Sequence, residues 1–493
     1  MSLIKFDQMD RISTALALAK ELLSPKDAAI IIGASHTYIH ELKNKGLQYI
    51  NNPLSLIADI RTTQNGIPFS KLHLEKTVLS LAMEGCSYSS IRQVIQTAFN
   101  SHISDGSISA ILSRYSKTAE TINELLDKEA FAKIWQAAMD EVFQSGKPVG
   151  AGVDLMSGYV MFIENMGDRS AETWKTIVEL LGLNGLKLKL SITDAGKGLL
   201  KGISLADAGV RIQLDVFHQE RDFSNPIYSL ERTFDKRLKE IDECMAKIES
   251  GHYNSKTTAK QAEAEKTIAL EMKLIDELRH IRECLHELLG FTGYGAKVLK
   301  DTIIWLAGHT KVIAQKLGDI KDGAGKRIYN QYYKAVKEAE RLAARAGNMV
   351  QFVCHLEEKI KATSVEAGLA EDGLLLLYRL RTKAEGSYEY EALNRIISRK
   401  LGRKRAMAEQ IMKLLISTTK RASSLIESTN SRIRKYMDVK RYVPSMFFPL
   451  LRLYMNTMPF ERSRISEKKG KSAAEYLLGK PYSFYSLLGL LEV

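Results

Sequence analysis

The chain has 493 residues, of which 45% are hydrophobic and 26% are charged. This composition is ordinary for a globular protein, and the length suits two to four domains. A formal charge of +13 favours a polyanionic partner, either nucleic acid or an anionic membrane surface. A basic protein without such a partner is the alternative. No apolar run approaches the ~20 residues of a membrane span. The four scattered cysteines argue against a zinc site or a disulfide framework and favour a reducing cytoplasm.

The N-terminal part of the chain is predicted to be all-helical. The stretch Ser24–Asp27 opens a helix with a serine N-cap, a first-turn proline and an early acid. A break and a second helix over Ser35–Lys45 give helix-turn-helix spacing. We therefore predict a helix-turn-helix DNA-binding unit over 1–60, in which His36 and Lys43 contact DNA. Helix pairs of this kind also occur in proteins that bind no nucleic acid.

A second unit of the same kind is predicted over 61–145. Its short helices cover 74–83, 89–99 and 107–115, with glycine-bearing breaks between them. The last of these helices offers Arg114 and Lys117 to DNA. Thr118–Gln144 is predicted to be a connector helix, and the Ser-Gly-Lys-Pro cluster at 145–148 is predicted to be a domain boundary.

The pattern changes to α/β over 146–225. Two apolar runs around a glycine-bearing turn predict a β-hairpin, and a helix, a strand, a glycine-rich helix start and a further strand follow. The predicted bounds of these elements are Gly150–Asp154, Tyr159–Met166, Ser170–Leu181, Leu186–Asp194, Ala195–Gly202 and Val210–Asp215. Two of the strands end in aspartate, Asp154 and Asp194.

An all-helical insertion is predicted over 226–402. Apolar residues recur every three or four positions between Leu270 and Leu288, as in a helical bundle, and Trp305 is predicted to lie in its core. Beyond it, 403–445 begins with basic residues and continues as one long helix, Arg405–Met437. Offsets of three and four place Glu427, Asn430 and Arg434 on one side of that helix. A C-terminal tail, 446–493, completes the chain.

The three acids Asp154, Asp194 and Glu427 offer the oxygen ligands that Mg²⁺ or Mn²⁺ prefers. Two such ions, ~3.5–4 Å apart, activate the attacking oxygen and stabilise the leaving oxygen in a displacement at phosphorus. We predict that Asp154 bridges two ions and that Asp194 and Glu427 each hold one. Asp215 also ends a strand, and a structural or DNA-facing role is predicted for it and for His218.

Four stretches of the chain resemble DDE-type transposases of bacterial insertion sequences, which have an RNase H-like core. They are GVDLMSGYVMFIE around Asp154, LKLSITDAGKGLLKGI around Asp194, IQLDVFHQERD around His218 and SSLIESTNSRIRKYM around Glu427. Together they cover under a quarter of the chain. The resemblance implies an α/β RNase H-like catalytic core, with a mixed sheet flanked by helices. This core would be interrupted by the large all-helical insertion and preceded by the helix-turn-helix modules.

The resemblance also implies an activity. The three acids would hold two Mg²⁺ or Mn²⁺ ions, and the protein would cut the ends of a mobile DNA element and join the freed 3′-hydroxyl to target DNA. The residues implied to contact DNA near this site are His218, Asn430, Arg432, Arg434 and Lys435. Implied partners are double-stranded DNA and a second copy in a homodimer or higher oligomer, with no membrane, in the cytoplasm at the nucleoid. The alternatives are a non-catalytic DNA-binding regulator with a nuclease-like core and a metal-dependent nuclease or resolvase without strand transfer.

Overall fold

One mixed five-stranded sheet organises the part of the chain that follows the N-terminal helices. The computed structural model describes residues 8–32, 35–52, 71–251, 255–316, 325–439, 443–463 and 465–490. The strands are β1 Gln136–Gln144, β2 Lys147–Asp154, β3 Val160–Asn165, β4 Leu190–Thr193 and β5 Arg211–Leu214. Their order in the sheet is β3-β2-β1-β4-β5. Strands β1, β2 and β3 pair antiparallel, whereas β1, β4 and β5 run parallel. The predicted α/β class with a mixed sheet is confirmed.

The N-terminal part is helical, as predicted. Its helices are α1 Gln8–Ala19, α2 Pro25–Ile32, α3 His36–Asn51, α4 Lys71–Met83, α5 Tyr88–Phe99 and α6 Asp105–Ala130. Serine side chains cap four of them: Ser24, Ser35, Ser87 and Ser104 each accept a hydrogen bond from a first-turn backbone N–H. The turn between α2 and α3 lies outside the described residues at 33–34. The predicted short helix 107–115 is the beginning of the much longer α6.

The central strand β1 lies where a helix was predicted. The connector helix over Thr118–Gln144 is wrong beyond Ala130, because α6 ends there and 136–144 pairs with both β2 and β4. Glutamine, alanine, methionine and glutamate in this stretch favour helix. Pairing on both edges, with residues Gln136–Met139 all buried, overrides that preference.

The predicted domain boundary at 145–148 is also wrong. Ser145 and Gly146 have φ values of +49° and +79°, and Gln144 pairs directly with Lys147 across the turn. Two central residues with positive φ are the geometry of a type I′ hairpin turn, which joins β1 to β2. The α/β core therefore begins at 136 rather than at 146.

Helices cover both faces of the sheet. On one face lie α7 Ala171–Leu183 and α8 Lys197–Ala206, and Trp174 of α7 is fully buried, 6.5 Å from the ring of Phe162. Phe162 lies level with Met139 of β1. Met139 is followed in β1 by Asp140, whose side chain contacts Asn430. Successive side chains of a strand point to opposite faces, so Asp140 faces away from Trp174. The helix that carries Asn430 therefore packs on the other face.

The helical insertion has its own core of buried apolar side chains. Its helices are α9 Val216–Glu249, α10 Ser255–Leu288, α11 Ala296–Lys316, α12 Gly325–Met349, α13 Gln351–Glu366, α14 Glu371–Arg379, α15 Tyr388–Leu401 and α16 Arg405–Thr418. The predicted apolar stripe is buried at Leu274, Leu278, Ile281 and Leu285, whereas the side chain of Leu270 lies outside the described part. The core position predicted for Trp305 is wrong. Its side chain is 64% exposed and stacks on His309.

The single long helix predicted over Arg405–Met437 is two helices. After α16 the chain is non-helical over 419–423, and α17 Ser424–Val439 then begins. This segment lies beside the end of β5. Val216 N donates to Arg421 O at 3.2 Å, and Gln213 Nε2 donates to Lys420 O at 3.0 Å. The two ends of the insertion therefore meet at the core.

The tail is part of the α/β core. It contains α18 Phe448–Thr457, α19 Ala473–Leu478 and α20 Phe484–Leu487. Asn456 bonds to both the N–H and the C=O of Val160 in β3, and Arg452 pairs with Asp127 of α6. Within the described ranges, no helix combines the length and the apolarity that a bilayer crossing requires.

Candidate functional site

Two carboxylates lie level on neighbouring strands: Asp140 is within β1, and Asp194 directly follows β4. Ala138 of β1 pairs with Ile192 of β4 in parallel register, and Asp140 and Asp194 each follow two residues later. Neighbouring strands are ~4.8 Å apart, so the two side chains leave the sheet close together. Burial together with the negative charge of Asp194 raises the pKa of Asp140 to about 7. Asp140 and Asp194 are therefore two half-buried carboxyl groups that lie close enough to repel each other when both are ionised.

Each of these carboxylates is held by a neutral donor. Asn430 of α17 is 1% exposed, and its Nδ2 donates to Asp140 Oδ2 at 2.7 Å. Asn430 was predicted to contact DNA, but the structure instead places its amide against Asp140. Asp194 Oδ1 accepts from Gly196 N at 2.8 Å. A side chain at Gly196 would come within 2.9 Å of that oxygen, so glycine allows the loop to close over Asp194.

A second group of polar side chains joins β5, α9 and α17. His218 Nε2 lies 3.2 Å from Glu427 Oε1, and His218 Nδ1 lies 3.4 Å from Asp215 Oδ2. One ligand atom from each of the three residues lies within 4.8 Å of the others. Glu427 is 53% exposed, whereas Asp215 is buried. Asp215 raises the pKa of His218, so the imidazolium between the two carboxylates is favoured.

Asp215 is a structural group in this arrangement. Its Oδ1 caps α9 by accepting from the N–H groups of Phe217 and His218 at 2.9 and 3.1 Å. Its Oδ2 accepts from Ser423 N at 2.6 Å and from Ser423 Oγ at 2.5 Å. Burial opposes ionisation, but His218 and Ser423 outweigh it and lower the pKa of Asp215 to about 2. Asp215 therefore links the start of α9, where the insertion begins, to Ser423, which follows the last helix of the insertion.

Asp154 lies apart from the Asp140–Asp194 pair. It pairs with Ala137, whereas Asp140 pairs with Ala151, three residues away along β2. Three residues of strand span about 10 Å. Asp154 is 2% exposed, and its Oδ2 accepts from Ser157 N and Ser157 Oγ, both at 2.6 Å. The predicted trio of Asp154, Asp194 and Glu427 is therefore corrected, because the carboxylate level with Asp194 is Asp140.

Sequence reasoning missed Asp140 because it missed the strand that carries it. The signal was present: two apolar runs flank a Ser-Gly turn, QAAMDEVFQ before it and KPVGAGVD after it. Two extended runs separated by two turn residues are typical of a β-hairpin. Glu141 follows Asp140, pairs with Arg169, and has a pKa raised mainly by burial.

The basic residues predicted to contact DNA fall into two groups. Arg432 and Arg434 of α17 and Lys117 of α6 are exposed. The other group has acidic partners within the protein. Arg114 forms an ion pair of 2.6 Å with the buried Glu75, whereas Lys435 Nζ lies 3.9 Å from Glu84 and Lys43 Nζ lies 4.0 Å from Glu21. The side chain of His36 lies outside the described residues.

The donor set suits a hard divalent cation. Among the side chains that the structure describes, no lysine or arginine pairs with Asp140 or Asp194. Their hydrogen-bond donors, Asn430 and Gly196, are neutral, and the charge of His218 acts favourably on Asp140. Clustered carboxylate oxygens are the ligands that Mg²⁺ and Mn²⁺ prefer. Glu427 lies on α17, which packs on β1, and its carboxylate contacts His218 in the second group.

Comparisons with known proteins give no family for this chain. No protein-family model matches it, and no curated protein matches it. The functional argument therefore depends on the geometry of the carboxylates and of the helices around them.

Proposed function

We propose that the chain is a DDE-type transposase with an RNase H-like catalytic core. The observation that carries the proposal is the level pair of Asp140 and Asp194 on adjacent parallel strands, beneath a helix that bears Glu427. The mixed sheet of order β3-β2-β1-β4-β5, in which β2 runs opposite to the other four strands, is compatible with such a core and supports the proposal. The three acids of this proposal are Asp140, Asp194 and Glu427.

The carboxylates fit a pair of Mg²⁺ or Mn²⁺ ions. Asp140 and Asp194 would hold them, and Glu427 would supply a further oxygen. Burial, and after it the charge of Asp194, raises the pKa of Asp140, and a bound divalent cation would oppose both effects. When bound, such ions activate the attacking oxygen and stabilise the leaving oxygen of a phosphodiester.

The chain's own residues position these acids. Asn430 donates to Asp140 Oδ2 and so fixes the orientation of that carboxylate. His218 lies between Asp215 and Glu427 and restricts where the exposed Glu427 side chain can point. Arg432 and Arg434 are exposed on the helix that carries Glu427, where guanidinium groups would bind DNA phosphates bidentately.

The proposed substrates are double-stranded DNA at the ends of a mobile element and at a target site. Two ends must be paired before strand transfer, so the protein would act as a homodimer or a higher oligomer. The excess of positive charge supports a DNA partner and predicts steeply salt-dependent binding.

The test uses a labelled duplex that carries the DNA flanking this reading frame, incubated with the full chain and Mg²⁺. The proposal expects cleavage followed by joining to a second duplex, and both products should disappear in Asp194→Asn. Glu172→Gln, which changes an exposed acid of α7, is the control and should behave as wild type. Cleavage without joining would identify a nuclease, and binding alone would identify a regulator. Either result would overturn the proposal.

A further inference from the structure

A cluster of basic side chains lies where α15 ends and α16 begins. A short 3₁₀ turn, Gly402–Lys404, joins the two helices, and Gly402 has a φ of +51°, which glycine adopts without strain. Between 395 and 405 the chain has six basic residues and no acidic one. These six residues, which we call the corner patch, are Arg395, Arg399, Lys400, Arg403, Lys404 and Arg405.

Two members of the corner patch hold the helices around it together. Arg405 Nη2 donates to Asn394 Oδ1 of α15 at 2.7 Å, and Arg405 Nε donates to Glu409 at 2.9 Å. Lys400 forms an ion pair with Asp372 of α14. These contacts join the start of α16 to α15 and the end of α15 to α14. The other members of the patch are therefore carried by helices that are bonded to one another.

The remaining four cations of the corner patch have no acidic partner within the described ranges. Lys404 Nζ donates to the neutral carbonyl of Gly368 at 2.8 Å. Arg395, Arg399 and Arg403 are exposed, and their side chains form neither an ion pair nor a hydrogen bond with any residue that the structure describes. Arg395 and Arg399 are four residues apart in α15, and like charges at this spacing destabilise a helix. These arginines therefore add nothing to the fold through ion pairs, which points to a role in binding.

The chemistry of these side chains fits a phosphodiester backbone. A guanidinium group is a planar fork that binds two phosphate oxygens at once, and it is permanently charged. Arg395 and Arg399 are about one helical turn apart and so present two such forks side by side. A membrane surface is a poorer match. Helices that bind membranes expose a continuous apolar face, whereas α15 buries Ile397 and Leu401 in the core of the insertion.

We propose that the corner patch binds the sugar–phosphate backbone of duplex DNA through Arg395, Arg399, Arg403 and Lys404. Contacts with phosphate carry no sequence information, so this surface adds affinity but no sequence preference. The 14 residues of α16 place the patch about 20 Å along that helix from the segment 419–423. The patch is therefore a contact surface separate from the exposed arginines of α17. The inference rests on the proposed function in taking DNA as the partner, but not on the catalytic role of the carboxylates.

The test measures binding of a labelled 30-mer duplex of arbitrary sequence to the full chain by fluorescence anisotropy across a range of chloride concentrations. The variant Arg395→Gln/Arg399→Gln/Arg403→Gln should bind at least about tenfold more weakly than wild type at ~0.1 M chloride. The slope of the logarithm of the binding constant against the logarithm of the salt concentration should fall by about three, one for each lost phosphate contact.

The matched control removes the same charge from other exposed arginines. Arg211, Arg279 and Arg341 each pair with an acidic side chain. The variant Arg211→Gln/Arg279→Gln/Arg341→Gln should bind the duplex with nearly the affinity and the salt slope of wild type. A loss that is confined to the corner-patch variant therefore reports on that surface and not on net charge. Circular dichroism establishes that both variants are folded.

Three results would overturn the inference. The wild type does not bind the duplex; the folded corner-patch variant matches the control in affinity and slope; or that variant binds the duplex normally but no longer binds vesicles of phosphatidylserine and phosphatidylcholine in equal parts, which would identify a membrane partner. The cleavage assay described above separates this inference from the proposed function. Cleavage and joining by the wild type, with unchanged duplex binding by the corner-patch variant, would overturn this inference alone. Weakened duplex binding by that variant, with no cleavage by the wild type, would overturn the transposase alone.

Discussion

Replacing Asp140 by asparagine should stabilise the metal-free protein at high pH. The substitution keeps the shape of the side chain and an acceptor for Asn430, but it removes the charge that Asp194 repels. Burial and Asp194 raise the pKa of Asp140 from an ordinary value of 3.8 to about 7. Between about pH 4 and pH 7, the folded protein therefore holds a proton that the unfolded chain has released. The free energy of unfolding of the wild type consequently falls as the pH rises through this window.

The size of the effect follows from that shift. A difference of about three pH units corresponds to about 4 kcal/mol, at ~1.4 kcal/mol per unit. Part of this loss is already present at pH 5. The stability advantage of Asp140→Asn over the wild type should therefore grow by roughly 2–3 kcal/mol between pH 5 and pH 8.

Guanidinium unfolding in the presence of EDTA measures this difference, followed by the fluorescence of the three tryptophans, of which the buried Trp174 lies in the α/β core. Replacing EDTA by Mg²⁺ at pH 8 should raise the stability of the wild type but not that of Asp140→Asn. Asp154→Asn is the control and should lose stability at both pH values, because Ser157 donates to that carboxylate. If the free energy of unfolding of Asp140→Asn exceeds that of the wild type by the same amount at pH 5 and at pH 8, the reasoning is refuted.

Two further predictions concern the contacts that hold the core together. Ser423→Ala removes one of the donors to the buried Asp215 and should cost about 1–3 kcal/mol in chemical denaturation, whereas the exposed neighbour Ser424→Ala should change stability by less than about 0.5 kcal/mol. Arg452→Met leaves Asp127 buried without its cation and should cost about 3–5 kcal/mol. In a double-mutant cycle, adding Asp127→Asn should recover part of that loss, and simple additivity of the two changes would contradict the pairing.

The elements with a strong local pattern were predictable from sequence. The β2–β3 hairpin has β-rich runs around a glycine turn, and helices such as α2 and α7 have capping residues and helical apolar spacing. The strand β1 was not predicted, because its residues favour helix and its pairing with β4 brings together segments far apart in sequence. Local patterns carry no information on such pairing.

The candidate site was predictable only in part, for the same reason. Asp194 and Glu427 were identified from their places after a strand and on a polar helix face. Asp140 and Asp154 both lie in or at the end of a strand, and only the register of β1 against β2 and β4 shows which of them is level with Asp194. His218 contacts Glu427 only because the two ends of the insertion lie side by side, where Asp215 accepts a hydrogen bond from Ser423. The sequence does not show that these two ends meet.

The most direct test of the central claim compares Asp140→Asn with Asp154→Asn in Mg²⁺-dependent cleavage of the flanking DNA. Both variants must first show wild-type duplex binding. We expect Asp140→Asn to abolish cleavage and Asp154→Asn, once folded, to cut at close to the wild-type rate. Cleavage by Asp140→Asn at the wild-type rate, with none by a folded Asp154→Asn, would contradict the assignment.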